Sequence, residues 1–201
     1  MGYTAIVDYG VGNLKSIANA MAYLGERTLI AGDEAGLEKA DAIILPGVGA
    51  FPDAADRLRA GLDGVIVRQA EKKPVLGICL GMQLLFEWGE EVRRCRGLSL
   101  VSGGVKRIET ACKLPHIGWN SLTFQNDSPL FRGLDDGAYV YFVHSFCGAA
   151  EKPEQVIATT DYGTTVVAAV QSGNAFGCQF HPEKSGETGL AILKNFAQLG
   201  K

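Results

Sequence analysis

The chain has 201 residues, a length that suits one domain, and we expect residues 1–201 to form a single domain. Its hydrophobic content of 47% and charged content of 20% are ordinary for a globular protein with one large core. The net charge of -3 gives no indication of nucleic-acid binding. Five cysteines without paired close spacing argue against a disulfide framework or a zinc site.

The amino-terminal residues carry neither a basic segment nor a long apolar run, so they lack the pattern of a signal peptide. No apolar stretch approaches the length needed to cross a bilayer. The odd number of cysteines favours a reducing compartment. We therefore predict a cytoplasmic protein without membrane contact.

In the first half of the chain, short β-rich runs alternate with helical runs. The predicted elements are a strand at Thr4–Asp8, a helix at Leu14–Leu24 closed by Gly25, strands at Thr28–Ala31 and Ala42–Leu45, helices at Pro52–Leu62 and Val65–Lys72 separated at Gly64, and a strand at Val75–Ile78 followed by a helix at Met82–Trp88. This alternation predicts an α/β fold with a mostly parallel sheet flanked by helices on both faces.

The second half is richer in strands. The predicted elements are strands at Gly104–Ile108, Ser121–Phe124, Tyr139–His144, Val156–Thr160, Val166–Gln171 and Ala175–Gln179, and a final helix at Thr188–Leu199. The last three strands follow one another closely enough to be hairpins or a meander. We expect an added antiparallel β layer here, with no domain boundary.

Cys79 is the most informative residue, because it lies between an apolar strand and an apolar helix with Gly77 and Gly81 on either side. A nucleophile flanked in this way is typical of a nucleophile elbow, a strained turn in which flanking side chains would collide with their neighbours. The following helix directs N–H groups toward the sulfur and favours the reactive thiolate. A buried, unreactive cysteine is the alternative, and the two glycines argue against it.

A cysteine nucleophile needs a base, and the chain has three histidines. His181 is the best candidate, because Pro182 makes the segment rigid and Glu183 follows two residues later. A carboxylate on one ring nitrogen fixes the tautomer and leaves the other nitrogen for Cys79. Acyl chemistry also needs oxyanion donors, for which we expect the N–H of Leu80 and the glycine-rich loop Pro46–Phe51.

Two other sequence patterns are weaker evidence of a binding site. The residues Gly10-Val11-Gly12-Asn13-Leu14 suggest a dinucleotide fingerprint, but Lys15 stands where the third glycine belongs. The basic run Arg93–Arg96 could hold a phosphate, although a solvated loop is the better interpretation.

The motifs together resemble the class I (triad) glutamine amidotransferase family. They are Pro-Gly-Val-Gly at 46–49, Gly-Ile-Cys-Leu-Gly-Met-Gln at 77–83 and His-Pro-Glu at 181–183. The resemblance spans essentially the whole chain and implies a flavodoxin-like sheet, a Cys-His-Glu triad, glutamine as substrate, and no cofactor or metal.

Carried over position by position, the resemblance implies that Cys79 attacks the side-chain amide of glutamine, that His181 moves the proton and that Glu183 orients His181. The oxyanion would bind to the N–H of Leu80 and, after a peptide flip, of Val48. The residues implied to hold glutamine are Gln83 and the backbone of Gly47, Ser145 and Phe146.

Within the family, the chain is most similar to the glutaminase subunits of imidazole glycerol phosphate synthase, a histidine-biosynthesis enzyme. The segments that carry this similarity are Asp8–Leu14, Pro46–Phe51, Ile117–Asn120, Tyr141–Ser145 and His181–Ser185. The resemblance implies a (βα)₈-barrel cyclase as partner, and a glutaminase of about 200 residues leaves no length here for an ammonia-using domain. The residues expected at that interface are Asn13, Trp119, Tyr141 and Lys184.

Three alternatives stay open. The chain could serve another ammonia-using synthase, such as pyridoxal phosphate synthase. It could be a catalytically idle thiol module with a regulatory role, or a hydrolase of esters or peptides built on the same elbow.

Overall fold

The computed structural model describes residues 2–201. Strands are at Thr4–Val7 (β1), Thr28–Ala31 (β2), Ala42–Leu45 (β3), Val75–Ile78 (β4), Phe86–Gly89 (β5), Cys95–Arg96 (β6), Val101–Arg107 (β7), His116–Ser121 (β8), Thr123–Phe124 (β9), Tyr139–His144 (β10), Phe146–Ala150 (β11), Val156–Asp161 (β12), Thr165–Ser172 (β13) and Ala175–Cys178 (β14). Helices are at Leu14–Tyr23 (α1), Glu34–Glu38 (α2), Phe51–Arg59 (α3), Asp63–Ala70 (α4), Leu80–Leu84 (α5) and Gly186–Leu199 (α6). Short 3₁₀ turns occupy Pro129–Phe131, Pro153–Gln155 and Pro182–Lys184.

The main sheet has eight strands in the order β2-β1-β3-β4-β14-β13-β12-β9. The first five are parallel, and their order corresponds to the 2-1-3-4-5 arrangement of flavodoxin-like folds. The last three run antiparallel and continue the sheet through the β12-β13-β14 meander. The predicted fold class is therefore confirmed, with β14 inserted beside β4 as the fifth parallel strand.

Two smaller sheets form the rest of the β structure. The strands β8 and β10 make an antiparallel pair, and β11, β7, β5 and β6 make a four-stranded sheet. Ser145 separates β10 from β11, so the chain passes from one small sheet to the other at that residue.

Alternate residues of the parallel strands supply two hydrophobic cores, one on each face of the sheet. Val7, Leu45 and Val75 belong to the core that also contains buried residues of α2 to α5. Ile6 and Ile44 belong to the core that contains buried residues of α1 and α6. This alternation follows from the two-residue period of a strand, because a sheet covered on both faces needs apolar side chains at every position.

Several predicted elements are wrong in type or extent. The predicted helix Met82–Trp88 stops at Leu84, and Phe86–Gly89 is the strand β5, held between β6 and β7. A short apolar run fits either structure, and its aromatic residues fit a strand once paired. The predicted strand Ser121–Phe124 is divided at Leu122 between β8 and β9, which pair in different sheets.

Three further differences separate the predicted elements from the observed ones. The break between α3 and α4 lies at Gly61, which has a φ of 148°, whereas Gly64 is inside α4. The helix α2 was not predicted, although its N-cap Asp33 accepts a hydrogen bond from the Gly36 N–H at 2.8 Å. Part of the Arg93–Arg96 run, expected as a loop, pairs with β5 as β6.

Candidate active site

Cys79 stands at the carboxyl end of β4, directly before α5, in a conformation that few residues adopt. Its φ of 54° and ψ of -110° mark a strained turn. A side-chain carbon at Gly77 would lie 2.5 Å from the Gly81 carbonyl oxygen, and one at Gly81 would collide with the Leu45 carbonyl oxygen. Both glycines are therefore needed for the elbow to fit between β3, β4 and α5.

His181 reaches the same edge of the sheet because β14 lies beside β4. The Cys79 N–H donates to the Cys178 carbonyl at 2.7 Å, so the two strands remain paired up to the elbow. His181 follows three residues later, and its Nδ1 lies 2.8 Å from Oε1 of Glu183. Both side chains are buried, with 4% of His181 and 1% of Glu183 exposed.

The electrostatics of His181 depend on two neighbours. Burial by itself lowers the pKa of His181, but its interactions with the Cys79 thiol and with Glu183 outweigh burial and raise that pKa to about 9. Since Nδ1 is bound to Glu183, Nε2 is the nitrogen left for Cys79. The imidazole can therefore hold a proton between the sulfur and the carboxylate.

Cys79 and His181 line one cavity of about 280 Å³. Five other residues predicted for the site also line it: Val48, Leu80, Gln83, Ser145 and Phe146. Gly47 is buried behind this lining, where a side-chain carbon would lie 2.8 Å from both the Gly81 nitrogen and the Leu80 Cβ. Its contribution to the site is thus the close approach of the loop to α5.

The two residues expected to supply oxyanion donors, Leu80 and Val48, line the cavity together with Cys79. Leu80 is the first residue of α5, so its N–H has no acceptor within the helix. Val48 lies in the loop after β3 and is 45% exposed. Just before it, the Pro46 carbonyl accepts a 2.7 Å hydrogen bond from the buried Tyr9 hydroxyl, which anchors the loop.

Gln83 and Gln179 connect Cys79 with the Phe146 backbone. Gln83 Nε2 donates to the Phe146 carbonyl at 2.9 Å and to Gln179 Oε1 at 3.0 Å. Gln179 Nε2 lies 3.8 Å from the Cys79 sulfur. With both Nε2 hydrogens of Gln83 in use, its Oε1 is the atom available to a ligand.

Sequence reasoning missed three polar residues at this site. Glu91 lines the cavity and accepts a 2.8 Å hydrogen bond from the Phe51 N–H at the start of α3. His144 also lines the cavity, and Gln179 contacts the sulfur. Gln179 alone had a usable signal, because a residue two positions before His181 points to the same side of an extended segment.

The residues predicted for a partner interface lie beside the His181 turn. Trp119 of β8 and Tyr141 of β10 face each other across the pair, and their rings are 6.2 Å apart. Trp119 is 54% exposed, and Lys184 and Asn13 are exposed as well. Asn13 occupies the N-cap position of α1, which packs against the Pro182–Lys184 turn. The Tyr141 carbonyl accepts from the His181 N–H at 2.9 Å.

Residues 2–201 offer little for other kinds of site. No group of three or more His, Cys, Asp or Glu side chains in this range is placed to hold a metal ion. None of the helices found there is long and apolar enough to cross a membrane. The five cysteines are all free. Burial raises the pKa of Cys147 to about 11, so that thiol is unlike a reactive one.

A family model described as glutamine amidotransferase class-I matches residues 5–199. The chain belongs to this family. The resemblance stated from the motifs is thus confirmed, and the elbow and His-Pro-Glu segment lie within the matched range. The family is one of enzymes that act on glutamine, which agrees with a glycine-flanked cysteine and a histidine lining one cavity.

Curated relatives of this chain indicate a narrower group within the family. The chain is 46% identical over 195 residues to the imidazole glycerol phosphate synthase subunit HisH of Bacillus cereus, covering 96% of this chain and 92% of the relative. It is 48% identical over 198 residues to the HisH subunit of Caldanaerobacter subterraneus, covering 98% of each.

Solved structures agree with the fold. PurLQS from Thermotoga maritima superposes with a TM-score of 0.80 at 21% identity, covering 100% of this chain and 99% of that one. A glutamine amidotransferase from Thermotoga maritima gives a TM-score of 0.64 at 18% identity, covering 98% of this chain and 83% of that one. At this identity the likeness concerns the fold alone.

Proposed function

We propose that this chain is the glutaminase subunit of an imidazole glycerol phosphate synthase and hydrolyses glutamine to glutamate and ammonia. The observation that carries the proposal is the His181 imidazole, which is bound to Glu183 at Nδ1 and lines the same cavity as Cys79. Relatives named for this synthase are 46% and 48% identical over nearly the full chain, which supports this activity over others in the family.

In the proposed reaction, Nε2 of His181 takes the Cys79 proton and the sulfur attacks the amide carbon of glutamine. His181 then gives that proton to the departing nitrogen, which leaves as ammonia while a γ-glutamyl thioester remains. Water that loses a proton to the same imidazole attacks the thioester carbonyl, and glutamate leaves as the sulfur recovers its proton. Glu183 keeps Nδ1 protonated throughout, and no metal or cofactor takes part.

The oxyanion formed in both steps would bind to the N–H groups of Leu80 and Val48, the latter after a flip of its peptide. Loss of one such donor typically slows a reaction of this kind about 10²- to 10³-fold. The loop anchor from Tyr9 to Pro46 supports a defined loop position next to the sulfur.

Glutamine would lie in the cavity against Gln83 and the Ser145–Phe146 backbone, which are bonded to each other, with Gly47 packed behind the lining. We add Glu91 to this set. Its carboxylate faces the same cavity and is the acidic group there besides the triad, so it suits the α-ammonium group of the substrate.

We propose a (βα)₈-barrel cyclase as the partner that consumes the ammonia. Ammonia released into water at neutral pH becomes ammonium, a poor nucleophile, so the acceptor site must be close to the thiol. The partner would dock over Asn13, Trp119, Tyr141 and Lys184, and its products would be imidazole glycerol phosphate and aminoimidazole carboxamide ribotide. The exposed Trp119 next to the His181 turn supports this face.

We also propose a cytoplasmic location. The five thiols are all free, and three of them are buried. Free thiols suit a reducing compartment, where disulfides are rarely maintained.

The test is to purify the chain with the cyclase and to measure product formation from glutamine or from ammonium salts. We expect both to support product formation, and Cys79→Ser to abolish only the glutamine-dependent reaction. The matched control is Cys112→Ser, since Cys112 is exposed and is not among the residues that line the cavity. It should change neither reaction.

Three results would contradict the proposal. Full glutamine-dependent activity in Cys79→Ser would exclude the thioester. Binding to a pyridoxal phosphate synthase partner instead of the cyclase would assign the chain to another synthase. Absence of glutaminase activity in the complex, with an intact thiol, would favour an idle regulatory module.

A further inference from the structure

Two buried histidines that the proposed reaction does not use lie next to the cavity. His116 and His144 are opposite each other in the β8–β10 pair, with 2% and 6% of their surface exposed. The His116 Nδ1 is 3.2 Å from the His144 Nε2, and the His144 Nδ1 is 2.8 Å from the Phe146 carbonyl oxygen. Buried imidazoles with fixed partners on both sides act as rigid connectors.

The partners determine where each proton lies. A carbonyl oxygen only accepts, so the His144 Nδ1 must donate to Phe146. Burial lowers the pKa of His144, the Phe146 bond opposes this, and the charges of His116 and His181 add to the lowering, so that the pKa is about 4. His144 is therefore neutral, its Nε2 accepts, and the His116 Nδ1 donates.

The Phe146 carbonyl joins this pair to the nucleophile. It accepts a second hydrogen bond from Gln83, which also binds Gln179, and Gln179 contacts the Cys79 sulfur. Two donors use both lone pairs of the carbonyl oxygen. A continuous set of polar contacts thus runs from His116 to the sulfur.

His144 also closes the bend between two sheets. The strand β10 ends at His144 and β11 begins at Phe146, so Ser145 is the corner. The Ser145 carbonyl accepts from the Ile108 N–H at 3.0 Å, and the His144 ring reaches forward to the carbonyl two residues later. The orientation of the Ser145 and Phe146 backbone toward the cavity therefore depends on this ring.

We propose that His144 is a positioning residue for glutamine, holding the Ser145–Phe146 backbone at the geometry that the substrate binds, and that His116 holds the His144 ring in place by donating to its Nε2. The inference rests on the proposed function, because that function supplies the glutamine. His144 acts through the backbone and takes no part in proton transfer.

Two amide substitutions separate the two contacts of His144. In His144→Asn the amide nitrogen occupies the place of Nδ1 and retains the bond to Phe146. In His144→Gln the amide reaches the place of Nε2 and retains only the contact with His116. We expect glutamine affinity within about threefold of wild type for the first variant and about tenfold weaker for the second, the usual effect of one lost buried hydrogen bond.

The measurement is the rate of modification of Cys79, followed by peptide mass spectrometry in the full chain with the cyclase added. One reagent is a diazoketone analogue of glutamine, which needs the substrate site, and the other is iodoacetamide, which needs only the thiol. We expect His144→Gln to slow the first reaction about tenfold and leave the second unchanged, with His144→Asn close to wild type in both.

A third variant changes the other histidine of the pair. His116→Phe keeps a ring between Phe142 and Tyr162, whose centroids lie 4.7 and 3.9 Å from that of His116, but removes the Nδ1 donor. It should slow the analogue about threefold, because His144 loses the donor to its Nε2 that holds its ring in place, without slowing iodoacetamide.

The outcomes separate the two proposals. Equal analogue rates in His144→Asn and His144→Gln, or equal slowing of both reagents, would overturn the positioning role. A wild-type chain that reacts with iodoacetamide at Cys79 but not with the analogue would overturn the proposed function and the inference with it. Thermal unfolding of each variant identifies any loss of folded protein.

Discussion

Glu183 is a buried carboxylate with one hydrogen-bonded oxygen. Its Oε1 bonds His181, whereas its Oε2 is the buried side-chain oxygen that lacks a hydrogen-bond partner within residues 2–201. The negative charge also raises the pKa of the neighbouring Cys178 thiol, whose burial has the larger effect. Burying a charge with so few partners costs free energy of folding. We infer that the buried charge is retained because it keeps His181 protonated.

Replacing Glu183 with Gln keeps the shape and removes the charge. We expect kcat for glutamine hydrolysis to fall about 10²- to 10³-fold with a smaller change in KM, because an uncharged partner stabilises the imidazolium less well. Steady-state kinetics of the complex measures this. Glu187→Gln, an exposed change in α6, is the control and should be silent. Equal effects of the two substitutions would remove Glu183 from the reaction.

His181 should make stability depend on pH in a defined direction. Its folded-state pKa of about 9 lies above the unfolded value of 6.5, so the folded chain binds this proton more tightly. This proton contributes on the order of 1 to 3 kcal/mol to the free energy of unfolding. The contribution is fully present below pH 6.5 and is lost as the pH rises toward 9. Urea unfolding of wild type and His181→Gln at pH 6 and pH 9 should show a difference that shrinks at the higher pH. A constant difference would contradict the shift.

Among the elements, the contact of β3 with α5 leaves no room for an added side chain. Gly81 in α5 lies against the Leu45 carbonyl at the end of β3, and Gly47 of the next loop packs on the Gly81 nitrogen. Both close approaches involve backbone, which cannot move aside as a flexible side chain would. The position of the nucleophile relative to the loop at Val48 therefore depends on these two glycines.

Gly81→Ala should destabilise the chain by about 2 kcal/mol or more and lower glutaminase activity, because the added methyl group forces α5 away from β3. The control is Gly64→Ala. Gly64 lies exposed in α4, and its nearest neighbour is the flexible Arg68 side chain at 3.4 Å. That change should leave the free energy of unfolding unchanged or raise it by about 0.5 to 1 kcal/mol, as is usual when alanine replaces glycine inside a helix. Chemical denaturation measures both, and similar values would show that the elbow tolerates a side chain.

At the scale of the whole molecule, the main sheet joins distant parts of the sequence. The strand β14 pairs with β4 on one side and with β13 on the other, so the parallel and antiparallel regions share their hydrogen bonding. One of the two cores combines residues of α1 with residues of β10, β12 and α6. On this basis we propose that residues 1–201 are a single domain.

A single domain should unfold in one transition. We expect far-UV circular dichroism, which reports all elements, to give the same urea midpoint as the fluorescence of Trp88 and Trp119, which lie in the two smaller sheets. Two separated midpoints would indicate that the β-rich half unfolds independently and would overturn this proposal.

Much of the fold and part of the site could be predicted from local patterns. The alternation of elements predicts a parallel sheet, and a glycine-flanked cysteine between strand and helix predicts an elbow, because both depend on neighbouring residues only. The rigid His-Pro-Glu segment likewise places His181 and Glu183 within contact of each other. The error at Phe86–Gly89 arose where a short apolar run fits two structures and pairing with β7 decides between them.

The sequence by itself determined the kind of chemistry, since the residue types and spacings at Cys79 and His181 are local facts. Only the tertiary structure decided that β14 lies beside β4, which brings these two residues into one cavity. It also decided that Glu91 and His144 join them from other elements. The reason is physical: strand pairing and packing depend on interactions between segments far apart in the chain, which no local pattern encodes.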